Sequence, residues 1–230
     1  MEGKLSIVAT PIGNLEDITL RALRVLKEAD YVLCEDTRVT GKLLKKYDIS
    51  TMLKRYDAHA SERVHEQVLE DLATGKHIAL VSDAGTPGVS DPGVLLVASA
   101  RAVGTCIETI PGPSAVTAAF SIAGLPGNQF VFLGFVPQKK GRQTFFANLV
   151  DYDLPVIFFE STHRILKTLT ALAEENSTVN STITVARELT KLHEEVVAGT
   201  PMEVLEYFED NKDHQKGEFV IIVAKDKDGV

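Results

Sequence analysis

The sequence predicts an α/β protein of two domains. Residues 1–124 form a mostly parallel sheet with flanking helices, and residues 125–230 a mixed-sheet α+β domain. Three observations lead there. Strand-like and helix-like segments alternate through the first half at the spacing of βαβ units. The polar, glycine-containing loops fall at the carboxyl ends of the strands, where open α/β sheets place ligands. Beyond the punctuation Gly124-Leu125-Pro126-Gly127 the chain is dominated by β-rich runs.

Taken in order, residues 5–9 (Leu-Ser-Ile-Val-Ala) are a short strand opening into Thr10-Pro11-Ile12-Gly13-Asn14. Asp17 stands where it can cap a helix whose apolar face is Ile18, Ala22, Leu23, Leu26 and Ala29. Tyr31-Val32-Leu33-Cys34 is the next strand and ends in Glu35-Asp36-Thr37-Arg38. Ser61 opens a helix through Val64, Val68, Leu69 and Leu72, which Gly75 stops. A strand at 78–82 precedes a helix at 92–102, with Asp91 as its cap and Pro92 in its first turn. A strand at 105–110 and a helix reaching Ala123 follow. In the second half, strands are expected at 130–135, 156–160, 183–187, 193–198 and 219–224, and helices at 142–150, 163–175 and 201–210.

Composition bounds the function. With 230 residues, 44% hydrophobic and 24% charged, the chain has the make-up of an ordinary soluble globular protein. No apolar run approaches the ~18 residues of a membrane span. Met1-Glu2-Gly3-Lys4 leads directly into a strand without a signal-peptide core. Cys34 and Cys106 match neither a CxxC pair nor a zinc pattern, and the histidines lack HxxxH spacing. The expectation is a cytoplasmic, reduced protein without metal or membrane attachment. The net charge of −8 argues against a broad nonspecific nucleic-acid surface. Local basic faces remain at 38–46 and 138–142, each equally readable as a solvated helix flank or loop.

The most informative stretch is residues 80–93, Leu-Val-Ser-Asp-Ala-Gly-Thr-Pro-Gly-Val-Ser-Asp-Pro-Gly. Its glycines let the backbone approach a ligand or take positive φ. Its two aspartates can accept hydrogen bonds from hydroxyls or amines. A minimal strand-to-helix turn is shorter and less polar. The common cofactor fingerprints are absent: no GxGxxG follows the first strand, and there is no Walker A loop, GxSxG elbow or HExxH.

Together, several loops match one family in order. They are Ala9-Thr10-Pro11-Ile12-Gly13-Asn14-Leu15, Glu35-Asp36-Thr37-Arg38, Ser82-Asp83-Ala84-Gly85-Thr86-Pro87-Gly88, Ser90-Asp91-Pro92-Gly93 and Pro111-Gly112-Pro113-Ser114-Ala115. Phe132-Leu133-Gly134-Phe135, Phe159-Glu160 with His163-Arg164, Arg187-Glu188-Leu189-Thr190-Lys191 and Lys216-Gly217-Glu218-Phe219 continue the series. From about Leu5 to Val223 the chain resembles the tetrapyrrole methylase superfamily, and within it the branch that methylates a ribose 2′-hydroxyl of small-subunit ribosomal RNA. The resemblance implies a tetrapyrrole methylase-like fold of two α/β domains and a homodimer. It implies S-adenosyl-L-methionine as cofactor in the interdomain cleft, and a decoding-centre cytidine of 16S rRNA on the small ribosomal subunit as substrate. Many members carry a further helical segment at the carboxyl end, which has no counterpart before Asp228-Gly229-Val230. The alternatives are a methylase of a small tetrapyrrole or corrin intermediate, and a noncatalytic cofactor-binding module.

The resemblance also carries residue roles. Asp83, Gly85, Gly88 and Val89 are expected at the cofactor, with Ser114 and Ala115 holding its carboxylate at a helix start, and Phe159 and Arg187 closing the site. Asn14, Glu35, Arg38, Arg164, Lys191 and His193 are expected on the substrate side, the charged ones also readable as members of surface or interdomain ion pairs. Lys139, Lys140 and Arg142, with Arg38, are the expected phosphate contacts. Methyl transfer to a weakly acidic hydroxyl benefits from a base or a nearby cation. Asp36, Glu160 and Glu188 are the candidate bases.

Overall fold

The computed structural model describes residues 3–57, 61–89, 93–175, 178 and 180–225. The chain forms two compact units, Met1–Ser114 and Ala115–Val230. The division therefore falls before Gly124, where the sequence suggested it. Helix α5 (Ala115–Ile122) packs on strand β10 (Glu218–Lys225) and so belongs to the second unit.

In the first unit, strands β1 (Lys4–Val8), β2 (Tyr31–Cys34), β3 (Leu53–Arg55), β4 (His77–Leu80) and β5 (Cys106–Ile110) form one sheet in the order β3-β2-β4-β1-β5. Every neighbouring pair is parallel. The sheet is apolar on both faces, as parallel sheets covered by crossover helices are. Helices α1 (Leu20–Glu28) and α2 (Thr37–Lys46) bury Val25, Leu26, Leu43 and Leu44 against Val8, Val32 and Ala79 on one face. Helices α3 (Glu62–Ala73) and α4 (Val94–Ala102) bury Val68, Leu72, Leu96 and Ala100 against Leu5, Leu33, Ile78 and Leu80 on the other. The neighbours β1 and β4 consequently send their chains to opposite faces, and a crevice forms at the carboxyl end of such a pair.

Local boundaries follow capping chemistry. Ser61 caps α3 through Val64 N–H at 3.4 Å, at the expected position. Asp17 does not cap α1: it lies in a 3₁₀ turn (Leu15–Asp17), and Thr19 Oγ1 accepts from Ala22 N–H at 3.0 Å instead. The basic run at 38–46 is a helix flank, because Thr40, Leu43 and Leu44 share one buried stripe. Strand β3, with only Leu53 apolar, was not legible as a strand. Helix α4 starts at Val94 after Gly93, whose φ of 123° turns the chain. Ser90, Asp91 and Pro92, hence the expected cap, lie outside the described residues.

In the second unit, β6 (Val131–Phe135), β7 (Val156–Ser161), β10, β8 (Ser181–Arg187) and β9 (Glu195–Gly199) form a mixed sheet in that order. The β6–β7 pair is parallel and the remaining pairs are antiparallel. Helices α6 (Arg142–Ala147), α7 (Ile165–Glu174) and α8 (Pro201–Asp210) cover one face, burying Phe146, Leu169 and Phe208 against Phe158, Val185 and Ile221. Helix α8 has a full capping box, with Thr200 and Glu203 bonding each other's backbone and Pro201 at the first turn.

Candidate active site

In the first unit the loops after β1, β2, β4 and β5 meet at the carboxyl edge of the sheet. Thr10 N–H donates to Gly85 O at 2.9 Å, and Gly85 N–H donates to Thr10 O at 3.0 Å. Thr10 Oγ1 donates to Ser82 O at 3.1 Å, and Thr86 Oγ1 to Pro113 O at 3.3 Å. A Cβ on Gly112 would stand 3.0 Å from that of Ala9, so these loops touch at backbone distance. Gly85 is thus a structural residue: both its main-chain polar groups are already bonded within the unit. Gly88 (φ 82°) and Val89 are exposed beside it. Asp83 is exposed too, and its Oδ1 accepts from Asp36 N–H at 3.1 Å, joining the β4 and β2 loops.

Asp36 caps α2 by accepting from Arg38 N–H at 2.8 Å, and it also receives Arg38 Nε at 3.0 Å. The hydrogen bonds from Arg38 hold its pKa at about 2. A carboxylate held so low is a weak base, and Arg38 is correspondingly neutralised. Asn14 Oδ1 accepts from Glu16 N–H at 3.0 Å and so shapes the β1 loop. Glu35 lies half-buried at the end of β2, and Ser114 half-buried just before α5.

In the second unit the expected base Glu160 is enclosed. Its side chain is fully buried, with Arg164 Nη2 at 2.8 Å from Oε1, Thr168 Oγ1 donating to Oε2 at 2.6 Å, and Arg142 Nη1 at 3.6 Å. Arg142 is buried and donates to Thr168 Oγ1 at 2.7 Å. Both expectations are corrected by this cluster. A buried carboxylate must be paired, so Glu160 neutralises two arginines instead of meeting a hydroxyl, and Arg142 is an internal anchor, not a surface phosphate contact. Arg164 donates its Nη1 to Val136 O at 2.8 Å, so it too is engaged inside the unit.

Arg187, also buried, gathers two loops. Its Nε donates to Lys216 O at 2.7 Å, its Nη1 to His193 O at 3.3 Å, and its Nη1 lies 3.5 Å from Glu195 Oε2. Around it is a hollow of about 400 Å³ lined by Arg187, Glu188, His193, Asp213, His214, Lys216 and Gly217. Glu188 holds φ 50°, an uncommon conformation for a side-chain-bearing residue. Its Oε1 accepts from Lys191 Nζ at 2.8 Å and from Glu218 N–H at 2.9 Å. Burial pushes the Glu188 carboxyl up, but these two bonds outweigh it and leave the group below the usual range. Burial likewise pulls Lys191 down, and Glu188 and Glu218 more than restore it, so Lys191 is held cationic. Sequence reasoning missed Asp213 and His214 in this lining because they belong to no motif, whereas Lys216-Gly217 was legible in one.

Lys139 and Lys140 are exposed, and Phe159 lies half-buried between Phe132 and Phe135. Ala115 is the first residue of α5, as expected. Among the described residues no group of His, Cys, Asp and Glu could hold a metal ion, and no helix is long and apolar enough to cross a membrane.

The family model of the tetrapyrrole (corrin/porphyrin) methylases matches residues 4–204. A Thermotoga maritima protein named ribosomal RNA small subunit methyltransferase I is 42% identical over 96% of this chain and 98% of its own length. A protein of the same name from Halalkalibacterium halodurans is 44% identical over 96% of this chain and 76% of its own. Among solved structures, cobalt precorrin-4 methyltransferase superposes with a TM-score of 0.72 at 20% identity, covering 96% of this chain and 94% of that one. Diphthine synthase gives 0.71 at 16% identity, covering 96% and 90%. These two share the fold. With the family model matching residues 4–204, most of the chain, the protein belongs to the tetrapyrrole methylase family.

Proposed function

We propose that this protein transfers the methyl group of S-adenosylmethionine to the ribose 2′-hydroxyl of a decoding-centre cytidine in the 16S rRNA of the small ribosomal subunit, acting in the cytoplasm as a homodimer. The observation that carries the reading is the near-full-length identity of 42% to a relative named ribosomal RNA small subunit methyltransferase I. The loops at the carboxyl edge of the first sheet support it. They offer an exposed carboxylate at Asp83, exposed backbone at Gly88 and an apolar side chain at Val89. That mixture suits a ligand with an ammonium group, ribose hydroxyls and an adenine ring. In the second unit, the first amides of α5, at Ala115, lack intrahelical partners, the arrangement that suits a carboxylate at a helix start.

The bound cofactor supplies an electrophilic methyl on a sulfonium. The chain must then orient the hydroxyl for in-line attack, and orientation alone provides much of such a rate. Of the three candidate bases, Glu160 is enclosed, while Asp36 in the first unit and Glu188 in the second are partly exposed; beside Glu188, Lys191, held cationic, can stabilise developing negative charge. The test is transfer of label from tritiated S-adenosylmethionine to small ribosomal subunits from cells lacking this protein, followed by nucleoside analysis. Label in 2′-O-methylcytidine is the expected result. Label elsewhere, or none while cofactor still binds, would overturn the reading and favour a small-molecule substrate.

A further inference from the structure

Edge strand β6 carries one residue more than its partner strand. Phe132 stands opposite Ile157 and Phe135 opposite Phe159, so a bulge lies between them. Gly134 in that bulge has φ 68°, which glycine adopts without a Cβ clash. In an unbroken strand Phe132 and Phe135 would face opposite sides. The bulge turns both toward Phe159, whose ring centre is 4.9 Å from that of Phe132 and 5.3 Å from that of Phe135, edge-on in each case. Phe135 ends this aromatic ladder and is 54% exposed.

The chain beyond Phe135 is tightly held. Val136 N–H donates to Phe159 O at 3.3 Å, and Arg164 holds Val136 O at 2.8 Å. Arg142 N–H closes a turn onto Lys139 O at 3.3 Å, while the Arg142 side chain is locked in the buried Glu160 cluster. Between these anchors, Lys139 and Lys140 are exposed and make no ion pair among the described residues. By contrast, Arg38, Lys191 and Lys216 each face a carboxylate within their own unit. A buried ionic anchor thus fixes a turn bearing two unneutralised cations, four and five residues along the chain from an outward-facing ring.

An exposed π surface with adjacent unpaired cations matches an unpaired nucleobase and its flanking phosphates. We infer that Phe135 is a stacking platform for an unpaired base of the RNA substrate, with Lys139 and Lys140 holding the phosphates beside it. This rests on the rRNA reading above and adds to it a recognition surface in the second unit.

The test uses small ribosomal subunits with saturating S-adenosylmethionine. Phe135→Tyr keeps the π face and is expected to keep the wild-type KM for subunits. Phe135→Leu keeps apolar bulk without a stacking face and is expected to raise that KM about 10-fold or more with kcat little changed. Replacing Lys139 and Lys140 by Gln should flatten the salt dependence of subunit binding by about 0.7 in log–log slope for each phosphate that the lysines neutralise. Unchanged cofactor affinity in each variant reports an intact fold. A Leu variant with wild-type KM, or a Tyr variant as impaired as Leu, overturns the stacking assignment. An unchanged salt slope overturns the phosphate assignment. No transfer to subunits by the unsubstituted protein, with cofactor still bound, overturns the rRNA reading itself and this inference with it.

Discussion

Thr10 and Gly85 exchange both of their main-chain hydrogen bonds, at 2.9 and 3.0 Å, and so tie the loop after β1 to the loop after β4. The two strands are neighbours whose chains depart to opposite faces, so the tie closes the crevice at its base. Gly85 holds φ 80°, and an added methyl would meet Ile12 Cγ2 at 3.4 Å. Gly85→Ala is therefore expected to cost about 1–2 kcal/mol from the left-handed backbone alone. Chemical denaturation measures it, and cofactor affinity should weaken in parallel as the loops part. An unaltered unfolding free energy would mean that the loops do not depend on this pair.

Glu160 neutralises Arg142 and Arg164 from a fully buried position. Removing one member of a buried ionic cluster leaves charge uncompensated, typically at about 3–5 kcal/mol. Glu160→Ala should lower the denaturation midpoint by a corresponding amount, and loosen the turn at Lys139–Arg142, read as faster amide exchange there. A variant that unfolds like the wild type yet has lost methyl transfer would instead return Glu160 to a chemical role.

Much of this fold was legible because local signals and tertiary demands coincide. Ser61 and the Thr200-Pro201-Met202-Glu203 box start helices where capping chemistry says they should. Gly85 and Gly88, read as turn glycines, do take positive φ. The failures are tertiary. Nothing in Gly141-Arg142 tells that the guanidinium points inward, since its partners Glu160 and Thr168 come from β7 and α7. Asp17 and Thr19 are both competent caps, and only packing of Ala22, Val25 and Leu26 selects Thr19. Strand β3 is set by parallel pairing with β2, a partner chosen by topology and not by the residues Leu53, Lys54 and Arg55. Of the candidate site, the motifs located the loops, but the pairing of Asp36 with Arg38 and of Glu188 with Lys191 appeared only with coordinates.

A pH dependence follows from Asp71, buried on α3. Burial pushes its carboxyl up, but Lys76 Nζ at 2.7 Å and the Tyr31 hydroxyl at 2.9 Å outweigh that, and the net shift is downward. A depressed carboxylate binds fewer protons folded than unfolded. Its contribution is therefore complete above the unfolded value near 3.9 and is lost as pH falls through the lower folded value. Asp71→Asn should flatten the acid limb of the stability curve below about pH 4. Urea titrations of both proteins across that range provide the check, and identical limbs would contradict it.

Asp36 offers the sharpest test of the chemistry. As general base it should be indispensable, since losing such a group typically costs on the order of 10²-fold or more in turnover. Its geometry argues otherwise. Arg38 engages both carboxylate oxygens, and the pKa of about 2 leaves little driving force for taking a proton from a ribose hydroxyl. Asparagine can still accept the Arg38 N–H bond and cap α2, because Asn and Asp are near-equal caps. Asp36→Asn is accordingly expected to keep its helix and to retain turnover within about 10-fold, short of the loss that removing a general base produces. The measurement is kcat at saturating small subunits and cofactor. A fall of two orders of magnitude with cofactor affinity intact would make Asp36 the base after all, and its ion pair with Arg38 would then have to open when substrate binds.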